Sequence, residues 1–143
     1  MKGASCQKLI ILFPLLAFFI RLSNSLEMHP TRASEGAPDA WFEVNSAVAE
    51  GLERIVVGQE IILITWFHKA HRDTLKVHPR NDPNTPLTGV FATRSPDRPN
   101  PLGLHQVTVL EIVGNRVKVG PIEAIDGTPI VDIKPVLRQS AST

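Results

Sequence analysis

The sequence predicts a mainly β protein, a small barrel or sandwich carrying one or two short helices. Three observations lead there. Short β-branched and aromatic runs recur with turn signals between them, roughly every 8–12 residues. Two of these runs, residues 104–113 and 116–122, alternate well, and Gly114-Asn115 supplies a tight hairpin turn between them. Twelve prolines and nine glycines in 143 residues interrupt the chain too often for long helices.

Each element follows in order. Residues 26–39 are polar and contain Pro30, Gly36 and Pro38, so they read as a loop. Trp41, Phe42, Glu43 and Val44 form a short strand. Asn45 or Ser46 caps a short helix over residues 47–52. The strongest strand is EIILITWF, residues 60–67, β-branched and aromatic with little alternation, so both of its faces are expected to be buried. It delivers His68, Lys69, His71, Arg72 and Asp73 at its end. Residues 80–86 form a loop, 89–93 a short strand and 94–103 a second loop. After the hairpin, Asp126-Gly127-Thr128-Pro129 is a turn and residues 130–133 the last strand.

Composition narrows the functional classes. Hydrophobic residues make up 43% and charged residues 20%, as in ordinary globular domains. A net charge of +1 gives no global field toward nucleic acid, so any basic surface is local. Cys6 stands alone, which excludes an internal disulfide and a cysteine-based zinc site. Near the N-terminus, Lys2 and Lys8 precede an apolar run over residues 9–20, short of the ~20 residues a bilayer requires. With Ser23-Asn24-Ser25 behind it, the run has the shape of a secretory signal peptide; a buried strand and a start codon placed too far upstream are the alternatives. The expected organisation is an apolar leader over residues 1–25, a barrel domain over 26–138 and a frayed tail over 139–143.

Three stretches could carry chemistry. In RSPDRPNPLG, Pro96, Pro99 and Pro101 fix three φ angles, and Arg94 and Arg98 offer planar cations suited to carboxylate or phosphate. A rigid structural loop, with Asp97 paired to one of its arginines, explains the same residues. In EAIDGTPIVDIKP, the turn at Asp126-Gly127 can point backbone N–H groups outward, and an ordinary hairpin turn is the alternative. In WFHKAHRD, His68 is a candidate acid, base or substrate contact; no H-E-x-x-H pattern supports a metal site. Walker, dinucleotide-binding and nucleophile-elbow motifs are absent, so a transfer reaction run by positioning fits better than covalent catalysis.

Taken together, GVFATRSPDRPNPLGLHQVTVLEI, EAIDGTPIVDIKPVL, ITWFHKAHRD and SEGAPDAWFEV resemble the TsaA-like (TrmO) family over roughly residues 30–137. The resemblance implies a small antiparallel β-barrel, S-adenosyl-L-methionine as cofactor, no metal, and a homodimer. It implies methylation of N6 on threonylcarbamoyl-modified adenosine 37 of tRNA, with a cofactor-binding module lacking that activity, or another substrate, as alternatives. By matching motifs, the implied cofactor contacts are His68, Lys69, Arg94, Asp126, Gly127, Thr128 and Pro129, together with Pro30 and Arg32. Arg98, Asn100, Arg72 and Arg80 are the expected tRNA contacts, and no catalytic base is assigned. The chain departs from the family pattern at Thr31-Arg32, where Arg/Lys-Gln is usual, and FIRLSNS stands where the family's first strand ends. A tRNA enzyme implies a cytoplasmic location with no stable membrane partner; secretion or membrane association through residues 9–20 is the alternative.

Overall fold

The structure is a computed structural model that describes residues 18–22 and 37–138. The strands are β1 (Phe18–Leu22), β2 (Ala40–Glu43), β3 (Glu60–Trp66), β4 (Lys76–Val77), β5 (Thr88–Gly89), β6 (Leu102–Val113), β7 (Arg116–Gly120) and β8 (Pro129–Pro135). Among the described residues, six of them close an antiparallel barrel in the order β1-β2-β7-β6-β3-β8, and β4 and β5 pair separately. The fold class expected from the sequence is therefore the one observed.

Its helices are short 3-10 turns. Ser46–Leu52 is capped by Asn45, whose side chain accepts the Ala47 N–H at 2.9 Å. The hairpin between β6 and β7 turns at Gly114, where φ is 60°, a conformation that favours glycine. Asn115 then ties the hairpin to the end of β2, its Nδ2 donating to Val44 O at 2.8 Å.

Three expectations change. The strand expected at residues 89–93 stops at Gly89; Val90–Ala92 is a 3-10 turn instead. Val90 is buried in that turn, so the apolar pattern was read correctly and its geometry was not. β3 is buried on one face only. Ile61, Leu63 and Thr65 are at most 1% exposed, whereas Ile62, Ile64 and Trp66 are half-buried, because a barrel has one interior. Finally, β1 lies ahead of the domain start expected at residue 26. It pairs with β2 through Phe19–Glu43 to Leu22–Ala40, and with β8 through Phe18–Ile130 and Phe19–Pro129. The end of the apolar run thus supplies a barrel strand, which removes the edges that β2 and β8 would otherwise expose.

The core consists of inward residues from successive strands: Phe42, Ile61, Leu63, Val107, Val109, Val117, Val119 and Ile130, with Ile122 from the segment after β7. Bulges adjust the closure. β6 carries an extra residue at Leu110, between the Val109–Val119 and Glu111–Lys118 pairs. β8 carries one at Val131, between the partners of Ile64 and Thr65. Where β7 ends, Asp39 packs onto Gly120 so closely that a Cβ there would clash with its carboxylate. No helix among the described residues is long and apolar enough to cross a membrane.

Candidate functional site

At one end of the barrel, three segments enclose a cleft of ≈ 660 Å³. The end of β3 contributes Phe67, His68, Lys69 and Ala70. The loop before β6 contributes Arg94, Pro96, Asp97 and Arg98. The segment before β8 contributes Glu123, Ala124, Ile125 and Thr128. β6 runs beneath with Leu102, Leu104 and His105. Stretches far apart in sequence therefore meet because β3 lies between β6 and β8 in the barrel.

The proline-rich loop is held by its own arginine. Arg98 Nε donates to Ser95 O at 2.7 Å, and Nη2 donates to Val90 O at 2.7 Å and Thr93 O at 2.5 Å. The guanidinium spreads its donors over a rigid planar fork, which a compact ammonium lacks. Asp97 Oδ1 accepts the His71 N–H at 2.9 Å, joining this loop to the end of β3. The alternative reading's Asp97–arginine pair is not seen among the described residues; Asp97 makes this backbone contact instead. Arg72 adds a second clamp: Nε donates to Pro99 O at 2.7 Å and Nη2 to Asn100 Oδ1 at 3.1 Å, while the guanidinium stacks over Trp66 at 5.1 Å.

Arg94 has a different setting. It is exposed, lines the cleft, and among the described residues makes no hydrogen bond or ion pair. Lys69 and His68 are likewise exposed in the wall without such partners. Three polar heads are thus free to meet a ligand, and the cation on Arg94 is permanent.

Of the turn residues, Thr128 lines the cleft itself. It is 1% exposed; its N–H and Oγ1 both donate to Ile125 O, at 3.1 and 2.5 Å, which closes the turn. Gly127 sits in that turn at φ 82°. Asp126 is exposed beside the wall, and Pro129 begins β8 opposite Phe19; Asp126, Gly127 and Pro129 are not lining residues. Of the expected tRNA contacts, Arg98 is committed to loop carbonyls and lines the cleft. Arg72 and Asn100 bind each other. Arg80 is exposed in the loop between β4 and β5. Pro30 and Arg32 lie outside the described residues.

His105 was not singled out in the sequence, and neither were Phe91, Leu104 or Glu123. His105 is largely buried, and burial lowers its pKa from 6.5 to about 4, so the ring is neutral at physiological pH. Its Nε2 lies 2.8 Å from Thr65 Oγ1. A signal existed in the alternation of β6, which turns residues 103, 105, 107 and 109 inward. Among the described residues no three His, Cys, Asp or Glu side chains gather as a metal site.

This architecture has solved counterparts. A crystal structure of TrmO from Pseudomonas aeruginosa superposes with a TM-score of 0.64 at 25% identity, covering 90% of this chain and 56% of that one. The chain thus spans little more than half the length of that protein. It is 51% identical over 89 residues to a probable S-adenosyl-L-methionine-binding protein of Methanocaldococcus jannaschii, covering 59% of this chain and 71% of that protein. It is 49% identical over 100 residues to a probable S-adenosyl-L-methionine-binding protein of Pyrococcus horikoshii, covering 67% and 71%. A family model, the tRNA-methyltransferase O N-terminal domain, matches residues 24–142, nearly the whole barrel, and the chain belongs to that family.

Proposed function

We propose that the chain is an S-adenosyl-L-methionine-dependent methyltransferase that works as a homodimer on N6 of threonylcarbamoyl-modified adenosine 37 of tRNA. The contrast between its two loop arginines carries this reading. Arg98 spends its donors on the loop, while Arg94 stands in the cleft wall with its fork unused among the described residues. A rigid loop presenting a free guanidinium suits a carboxylate-bearing ligand and loses little entropy when it binds.

The rest of the cleft fits the same ligand. Its ≈ 660 Å³ falls in the range of about 300–1,000 Å³ usual for small-molecule sites. Leu102, Leu104 and Ile125 offer apolar surface for an adenine ring, and Glu123 offers an acceptor for an amine. When bound, S-adenosyl-L-methionine supplies an electrophilic methyl group carried on a sulfonium. This chain's residues hold and orient: Arg94 the α-carboxylate, Lys69 and His68 the neighbouring polar groups, and the Asp126–Thr128 turn the ribose side. Positioning of this kind can supply much of the rate of an in-line transfer.

The cleft mouth supports the dimer. Phe91, at the edge of the cleft, is 81% exposed. A second copy laid over this rim would bury apolar surface worth about 25 cal/mol per Å². Lys76 and Arg80, exposed and without ion-pair partners among the described residues, are candidate phosphate contacts for tRNA. Action on tRNA would place the protein in the cytoplasm.

A second reading has a specific basis. The two relatives above carry the name probable S-adenosyl-L-methionine-binding protein, and the chain spans about half of the TrmO it resembles. It would then bind the cofactor without methylating tRNA. Calorimetry with S-adenosyl-L-methionine is expected to show binding; its absence defeats both readings. Incubation with threonylcarbamoyl-modified tRNA is then expected to raise the nucleoside mass by one methylene. Binding without that gain favours the module.

A further inference from the structure

The barrel interior is apolar until it reaches the cleft, where Thr65, Gly103 and His105 come together. Thr65 is fully buried at 0% exposure and pairs with Gly103, and His105 lies opposite Leu63 on the same inner face. Thr65 Oγ1 and His105 Nε2 are 2.8 Å apart. Gly103 leaves the room for this contact. A Cβ there would come within 2.5 Å of Thr65 Oγ1 and Phe67 Cζ, and 2.8 Å of His105 Nε2. Phe67 meets the imidazole edge-on, with centroids 5.7 Å apart and planes at 82°. The ring is therefore held on three sides, yet it still lines the cleft. Among the described residues its Nδ1 has no hydrogen-bond partner.

We propose that His105 is a ligand-contacting residue on the cleft floor, anchored through Nε2 by Thr65 and presenting Nδ1 to a polar group of the bound S-adenosyl-L-methionine. The inference rests on the cofactor reading above and adds to it a residue that no motif marks. The imidazole is half-buried with one nitrogen bonded to Thr65, and a ligand that enters this cleft can complete the other. Its neutrality matters for a sulfonium. Lys69, Arg94 and Arg98 already make the walls cationic, against Asp97 and Glu123, and a charged floor would repel the ligand further. Burial keeps the ring unprotonated at neutral pH, so what it presents to a ligand is a neutral hydrogen-bonding imidazole.

The test uses the full chain with isotope-labelled histidine at neutral pH. His105→Gln supplies the resonance assignment. Saturation with S-adenosyl-L-methionine, verified by calorimetry, is expected to move the His105 Nδ1 resonance while the ring stays neutral. Binding with an unmoved Nδ1 overturns this inference and leaves the cofactor reading intact. No binding by the wild-type chain overturns both. As an independent arm, the Gln amide lies near the place of Nε2 and the Asn amide near that of Nδ1. His105→Gln should keep the Thr65 contact and bind about tenfold more weakly, and His105→Asn should lose less. Wild-type affinity in a folded His105→Gln protein also overturns the proposal; if one variant fails to fold, the other supplies the assignment and the wild-type resonance decides.

Discussion

Replacing Arg98 with alanine removes all three hydrogen bonds that its guanidinium makes within the proline-rich loop and the turn before it. They run from Nε to Ser95 O at 2.7 Å, and from Nη2 to Val90 O at 2.7 Å and Thr93 O at 2.5 Å. A hydrogen bond from a charged donor contributes about 1.5–3 kcal/mol net. The three share one side chain, and the freed carbonyls can turn toward water, so their sum is an upper bound. The expected loss is about 2–4 kcal/mol. For a domain of roughly 100 residues each kcal/mol moves the melting point by about 4–8 °C, so a fall of at least about 8 °C should be visible. Arg98→Lys keeps the charge without the planar fork and should fall between wild type and alanine. Arg94→Ala is the control. It removes an exposed side chain with no described partner, so stability should stay within about 0.5 kcal/mol while cofactor affinity drops. The assay is urea unfolding followed by circular dichroism at one protein concentration, because the proposed dimer would couple association to stability. If Arg98→Ala unfolds like wild type, or Arg94→Ala is the more destabilised, the division of labour between the two arginines is wrong.

The other predictions concern the cleft floor and mouth. His105 has a folded pKa of about 4 against 6.5 unfolded, so the unfolded chain takes up a proton that the folded one refuses. Stability from this group is therefore intact above pH 6.5 and lost as pH falls toward 4, by roughly 3 kcal/mol. His105→Gln should show a shallower loss of stability across that window, and equal slopes would contradict the assignment. Gly103→Ala forces a Cβ to within 2.5 Å of Thr65 Oγ1 and Phe67 Cζ; it should cost about 1–3 kcal/mol in denaturant unfolding and weaken cofactor binding. Phe91→Ser should leave the unfolding of the isolated chain nearly unchanged but shift sedimentation toward monomer, because Phe91 is 81% exposed in the single chain. Unaltered association would argue against a dimer across the cleft mouth.

Much of the architecture can be read from local pattern. The hairpin is marked by two alternating runs around Gly114-Asn115, and β3 by a run too rich in β-branched residues for a helix. The Asn45 cap follows from residue type. The meeting of His68, Lys69, Arg94 and Thr128 at one cleft was implied by family resemblance, and barrel topology supplies the reason: β3 has β6 on one side and β8 on the other. Local pattern misled where long-range packing overrode it. The run after Gly89 looks extended but curls into a 3-10 turn that buries Val90. The apolar residues ahead of Ser23 look like a leader, yet Phe18–Leu22 finds open edges on both β2 and β8.

By itself, then, the sequence determined a β-rich chain with its turns, its hairpin and the motifs that place it in a family. These are properties of neighbouring residues: backbone φ preferences, β-branching and local spacing. Only the tertiary structure decided which of two chemically identical arginines is left without a partner among the described residues. Arg94 and Arg98 sit four residues apart in the same loop, and nothing local distinguishes their guanidiniums. The carbonyls of Val90, Thr93 and Ser95 capture one of them and leave the other at the cleft. The same holds for His105, whose neutrality comes from burial beside Thr65 and Phe67, a condition that exists only once the barrel has closed.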